Sequence, residues 1–170
     1  MYKADAMSVH VIVGTQPSAV KPPEPIKEHA TSAKQHEMNA IEANDLKNST
    51  PHYMQAESIH VHTGDHEAAA RMYTRAGKRA AEQGLYDASA VYHYKAIEHY
   101  QVTNNHAAVA KAYTDIAKMD TNVGDHASAK ESHESAAAAH RAANNHAAAA
   151  VSDAARKKSM VKSWFQLKRF

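Results

Sequence analysis

Apolar and polar positions along this chain follow a 20-residue register. Turn-forming pairs stand at Asn44-Asp45, Gly64-Asp65, Gly84-Leu85, Asn104-Asn105, Gly124-Asp125 and Asn144-Asn145. Counting from each pair, offsets 2, 5, 9, 12 and 16 carry His66, Ala69, Tyr73, Ala76 and Ala80, then Tyr86, Ser89, His93, Ala96 and Tyr100. The next two units give His106, Val109, Tyr113, Ile116 and Asp120, then His126, Ala129, His133, Ala136 and His140. Steps of three and four place each set on one helix face. The spacing predicts helices of about 16–17 residues, roughly 25 Å long at 1.5 Å per residue. Linkers this short require antiparallel neighbours. Residues 52–160 are therefore expected to be helical, without sheet, and broken near 64, 84, 104, 124 and 144. Tyr73, Tyr113 and Ile116 are assigned to helix seams, and Ala69, Ala76 and Ala96 to close helix approach.

A second period of 40 overlies the first. Asn104-Asn105-His106-Ala107-Ala108 recurs as Asn144-Asn145-His146-Ala147-Ala148, and His93 and Ala96 align with His133 and Ala136. Alternate helices therefore differ, as in a stack of two-helix hairpins. A fixed period of this length is the signature of stacked supersecondary units.

All five prolines lie at or before position 51. Residues 8–13 suit a short strand ended by Gly14. Pro17 and Pro22-Pro23-Glu24-Pro25 favour an extended, polyproline-like arm. Such an arm buries little by itself, so contact with a neighbouring subunit or with its own repeats is expected, through Val11, Ile12, Pro22 and Pro23. Residues 26–47 read as a first helix with Ile26, Ala30, Ala33, Met38 and Ile41 on its apolar face. Asn48-Ser49-Thr50-Pro51 reads as a stop and restart, with Ser49 or Thr50 capping and Pro51 in the first turn. The domain reading is an arm plus first helix over 1–43, a helical-repeat domain of 20-residue units over 44–160, and a basic aromatic tail over 161–170.

Gly64-Asp65-His66, Ala69, Tyr73 and Ala76 resemble the second helix of a tetratricopeptide repeat, and the 40-residue period is similar to that family's longer variant. The resemblance covers about residues 44–160. Histidine often replaces tyrosine, the bulky first-helix positions are weak, and the closing proline is absent. The resemblance implies a right-handed superhelix of helical hairpins that binds protein segments on a concave face, without catalysis. The fold class expected is all-α: antiparallel helical hairpins stacked as a tetratricopeptide-like α-solenoid, preceded by the extended arm. A plain helical bundle with alanine periodicity is the competing architecture.

Composition sharpens this picture. Thirty-six of 170 residues are alanine and three are leucine (Leu46, Leu85, Leu167). Alanine favours helix but buries little area, and burial stabilises by roughly 25 cal/mol per Å2. Eight tyrosines and seven methionines must supply much of the bulk. The formal charge of +2 carries no global nucleic-acid signal, and the absence of cysteine excludes disulfides, thiolate metal sites and cysteine nucleophiles. No apolar run suits a membrane span, and no secretory signal is expected; the location expected is the cytoplasm or a virion.

Candidate chemistry is sparse. His62 and His66 have the i, i+4 spacing of paired metal ligands, but histidine at a recurring helix start (His66, His106, His126, His146) points to packing and turn hydrogen bonds. No metal and no cofactor is expected. His93, His99, His133 and His140 could line a pH-responsive groove, or be partly buried neutral side chains with local partners and no paired carboxylates. Phosphate loops and nucleophile elbows are absent, so no enzymatic activity is expected. Arg156, Lys157, Lys158, Lys162, Lys168 and Arg169 follow the last acid, Asp153, and surround Met160, Val161, Trp164, Phe165, Leu167 and Phe170. Trp164 and Phe165 are expected to be buried, either capping the last repeat or anchoring a partner subunit. A nucleic-acid or anionic-membrane contact is the third reading. With the arm residues, Trp164, Phe165 and Phe170 are the candidate partner contacts. The function expected is an adaptor or structural subunit of a protein assembly, including copies of itself, with a bacteriophage capsid- or tail-associated component as one setting. The alternative is a soluble regulatory module that captures a peptide or nucleic acid.

Overall fold

The computed structural model describes residues 26–43 and 45–168. They form seven α-helices: α1 (Ile26–Glu42), α2 (Leu46–His62), α3 (His66–Glu82), α4 (Tyr86–Val102), α5 (His106–Val123), α6 (His126–Ala142) and α7 (His146–Leu167). The described residues contain no strand. The expected arm, with Val11, Ile12, Pro22 and Pro23, lies outside them, as does Phe170.

The turns explain the register. Gly64, Gly84 and Gly124 have φ of +73°, +74° and +82°, and Asn104 and Asn144 have +55° and +56°. Glycine tolerates this left-handed region and asparagine is the next best choice. The next residue then caps the new helix: Asp65, Asn105, Asp125 and Asn145 each accept a hydrogen bond from the backbone N–H three residues on. Satisfying that otherwise unpaired donor fixes the helix start. Leu85 provides no side-chain cap. All five expected breaks occur.

The first turn departs from expectation. α2 starts at Leu46, capped by Asp45, and runs through Pro51. The local Ser-Thr-Pro signal loses to the Asp45 cap, which keeps the register of the other turns. The first helix correspondingly ends at Glu42. On α1 the buried side chains are Ala33 and Ala40, whereas Ala30, Met38 and Ile41 are exposed.

Consecutive helices are antiparallel, because their contacts mirror across each turn. Ser89 Oγ donates to the Gly77 carbonyl at 2.7 Å, Ser132 Oγ to Asp120 at 3.0 Å, and Arg141 pairs with Asp153. The packing of α1/α2, α3/α4, α5/α6 and α6/α7 is broad, α4/α5 is narrower, and α2/α3 is the thinnest. Hairpins thus pair α3 with α4 more closely than with α2. Side-chain bulk accounts for this, since helix separation follows the residues at the contact. Between α2, α3 and α4 stand the rings of Tyr53, Tyr73 and Tyr92, with centroids 5.4–6.3 Å apart. Between α3 and α4 lie Ala76, Gly77, Ala80, Ser89 and Ala96, all buried. His93 fills the space a side chain at Gly77 would need: a Cβ there would stand 2.9 Å from its ring.

Helices two apart also touch. Arg75 reaches Glu37, Arg79 reaches the Ile41 carbonyl, Asn105 donates to Glu67 at 2.9 Å, and Thr50 and Tyr92 hydroxyls lie 3.3 Å apart. The core runs through these contacts, with Tyr73 and Ile116 buried and Tyr113 packed against it. Ala69, Ala76 and Ala96 are buried as expected.

Candidate interaction surface

The last helix differs from the other six in what it leaves outside. α7 begins at a side-chain cap, Asn145, and continues for 22 residues. Residues 161–167 are therefore its final turns, not a separate tail. Its buried side chains are small: Ala149, Ser152 and Ser159, three and then seven residues apart, on one side of the helix. Arg141 and Asp153 pair across that seam, and Arg156 Nε lies 4.0 Å from Asp153. At the far end, Gln166 Nε2 donates to the Gly124 carbonyl at 3.0 Å. The end of α7 is thereby tied to the turn between α5 and α6.

The side chains that α7 leaves outside are large. Trp164 is 50 % exposed and Phe165 59 %, and Val151, Met160, Val161 and Leu167 are also exposed. The Trp164 and Phe165 rings meet edge to face at 5.1 Å, and the Lys168 ammonium stands 3.7 Å from the Trp164 centroid. Lys157, Val161, Trp164 and Lys168 are spaced by four, three and four, so cations and apolar groups share one stripe. Beside it, Thr121, His133, Ala155, Val161 and Lys162 line a cleft between α5, α6 and α7. Burial, with Lys118 nearby, holds the His133 imidazole below its ordinary pKa. Among the described residues Trp164 and Phe165 stay half exposed, so the alternative in which they cap the last repeat is corrected. The residues that α7 buries are Ala149, Ser152 and Ser159, and its aromatic rings are not among them.

The histidines resolve into three kinds. His66 and His99 meet through their Nδ1 atoms at 3.1 Å, and His99 Nε2 is 3.1 Å from Glu57. Glu57 also accepts from the Tyr73 hydroxyl at 2.6 Å, with Lys95 at 3.7 Å. Burial raises the Glu57 pKa, but the Tyr73 and His99 hydrogen bonds outweigh it and leave it below the ordinary value. His60 likewise pairs with Glu37 at 2.9 Å. The argument from missing carboxylates therefore fails for His99, because its partner comes from α2. His93 is buried beneath Gly77 and its pKa is depressed, chiefly by burial. His106 and His146 are exposed, so the recurring helix-start position is not uniformly a packing site.

His62 and His66 do not form a helical pair. The break at 63–65 separates them, and His62 meets His29 instead, with ring centroids 5.6 Å apart. Among the described residues, no group of three or more His, Asp or Glu side chains could hold a metal ion. No helix of the described residues is long and apolar enough to cross a membrane.

No protein-family profile matches the sequence, and no curated protein matches it. One solved structure with some likeness is the crystal structure of BtubC (BKLC) from P. vanneervenii. It is 18% identical, over 80% of this chain and 73% of that one, with a TM-score of 0.30. Similarity at that level carries no argument about fold or function.

Proposed function

We propose that this protein is a non-enzymatic adaptor or structural subunit: a stack of helical hairpins, like a tetratricopeptide solenoid, that joins protein partners. The observation carrying this reading is the outer face of α7. A helical stack that ends in water needs a polar terminal face. This one ends on Val161, Trp164, Phe165 and Leu167, exposed and interspersed with lysines. Aromatic side chains beside cations are frequent interface anchors. The contacts between helices two apart, which recur at separations of 38 to 42 residues, support stacking of hairpins as the architecture. On this reading the surface binds and positions a partner.

The test uses the full chain as bait in its source lysate, beside a Trp164→Ala/Phe165→Ala variant, with light scattering on the eluted complexes. The reading expects defined protein complexes with the wild type and their loss with the variant, at unchanged helix content. Identical captured proteins and identical masses would overturn it.

A further inference from the structure

We propose that the outer face of α7 docks an acidic amphipathic segment of a partner protein. Its apolar side chains would seat on Val161, Trp164 and Phe165, and its carboxylates on Lys157, Lys158, Lys162 and Lys168. This rests on the adaptor reading and names the chemistry of its partner.

Charge complementarity carries the inference. After Asp153, the described part of α7 bears Arg156, Lys157, Lys158, Lys162 and Lys168 and no acid. The two lysines at 157 and 158 and those at 162 and 168 are all exposed, so they are available to a partner. A second copy laid face to face would set these cations against each other, and like charges opposed across an interface disfavour it. Residues 1–25 hold only Asp5 and Glu24 as acids against Lys3 and Lys21, which makes the chain's own N-terminus a poor complement.

The distribution of charge also separates a protein segment from an anionic membrane. A helix lying in a lipid surface keeps its cations on the face opposite its apolar one. Here Lys157 and Lys168 lie on the same stripe as Val161 and Trp164, and Lys168 stacks on the Trp164 ring. Sinking that ring into lipid would bury the ammonium with it. A protein segment can instead present a carboxylate to each lysine between its apolar contacts. The cleft formed by Thr121, His133 and Val161 gives such a segment a recess that a flat bilayer cannot enter. Neutral His133, with its depressed pKa, adds no charge there near pH 7.

The experiment titrates full-length protein with three probes. The first is a designed 20-residue helical peptide with Leu and Phe at i, i+3 and i+4 and Glu between them. The second is the same peptide with Lys in place of Glu. The third is a set of vesicles of phosphatidylcholine with phosphatidylserine. Wild type should bind the Glu peptide, weaken as salt rises, and ignore the Lys peptide. Lys157→Glu/Lys162→Glu/Lys168→Glu should lose at least about tenfold in affinity for the Glu peptide and gain affinity for the Lys peptide. Trp164→Ala/Phe165→Ala should lose binding of the Glu peptide without losing helix content. Equal affinity for the two peptides, no binding of the Glu peptide, or binding to vesicles in preference to it would each overturn the acidic-segment assignment. The adaptor reading fails on different evidence, namely lysate complexes that survive Trp164→Ala/Phe165→Ala.

Discussion

The hairpin α3/α4 and the pair α6/α7 share a turn design and a register but are filled differently. Between α3, α4 and their neighbours lie Met72, Tyr73, Tyr92, His93, Ile97 and Tyr100, all buried. The corresponding interior of α6 and α7 is Ala129, Ser132, Ala136, Ala137, Ala149 and Ser152. Burying a large side chain stabilises by about 1.5–3 kcal/mol, against roughly 0.8 for a single CH2. The aromatic region therefore carries most of the stability, while the alanine–serine seam supplies proximity. Both regions expose apolar side chains, Val91, Tyr94 and Val102 on α4 and Met160, Trp164 and Phe165 on α7, but α7 turns its largest ones outside while α3 and α4 keep Tyr73, Tyr92 and Tyr100 buried. Helical geometry needs only the capped turn and small seam residues, which leaves the bulky residues of the last helix outside.

The largest expected effect breaks this comparison at one register position. Tyr73 and His133 occupy the same offset in their units. Tyr73→Ala should cost about 3–5 kcal/mol, and it also removes the hydroxyl held by Glu57. His133→Ala, at a half-buried site on an open cleft, should cost about 1 kcal/mol or less. Urea denaturation measures both, and equal losses would dissolve the distinction between the two regions. Next is Gly77→Ala. Alanine should favour the helix by about 1 kcal/mol, yet its Cβ would meet a His93 ring that is 1 % exposed. A net loss of about 1–3 kcal/mol is expected. Combining Gly77→Ala with His93→Ser should recover much of the contact penalty.

Acid should act on both regions through their histidines. His93 and His133 have folded-state pKa values below the ordinary one. Near and below pH 6.5, about the ordinary histidine value, the unfolded chain binds protons that the folded chain refuses. Stability is full above that point and falls as pH drops through the window down to the depressed values. The Glu57 pKa is also lowered, so its contribution is present above the ordinary carboxylate range and disappears in stronger acid. Melting temperatures from pH 7 to 5 should fall for wild type and less steeply for His93→Asn. A flat wild-type profile would count against neutral burial of these imidazoles. The smallest expected effect is on the outer face, where Trp164→Ala should shift the stability of the isolated chain by no more than about 0.5 kcal/mol.

The breaks from Gly64 onward were readable because a positive-φ glycine or asparagine, followed in most turns by a capping Asp or Asn, is a local signal, whereas the first boundary was misplaced by the Ser-Thr-Pro segment. The core was only half readable. Offsets 5 and 12 are buried in α3 to α6, but so is offset 8: Met72, Tyr92, Ala112 and Ser132. A one-face pattern misses it because helices inside the bundle pack on two sides. The Glu57–His99–Tyr73–His66 cluster was invisible for a similar reason. Its hydrogen-bonded pairs lie 16 to 42 residues apart, on three different helices, so no single helix face records their meeting. In α7 the sequence showed the aromatic and basic residues of the candidate surface. It did not show which way they face, because that depends on Ala149, Ser152 and Ser159 closing the seam without them.

Trp164 is the chain's only tryptophan, so its fluorescence reports directly on the central claim that the outer face of α7 stands uncovered until a partner arrives. In the purified full-length protein, across a concentration series, its emission should be water-like and readily quenched by acrylamide, and should shift to the blue with loss of quenching in the complex with partner. A blue-shifted, quencher-protected emission from the isolated chain would mean that the face is already covered by the protein itself and would contradict the account.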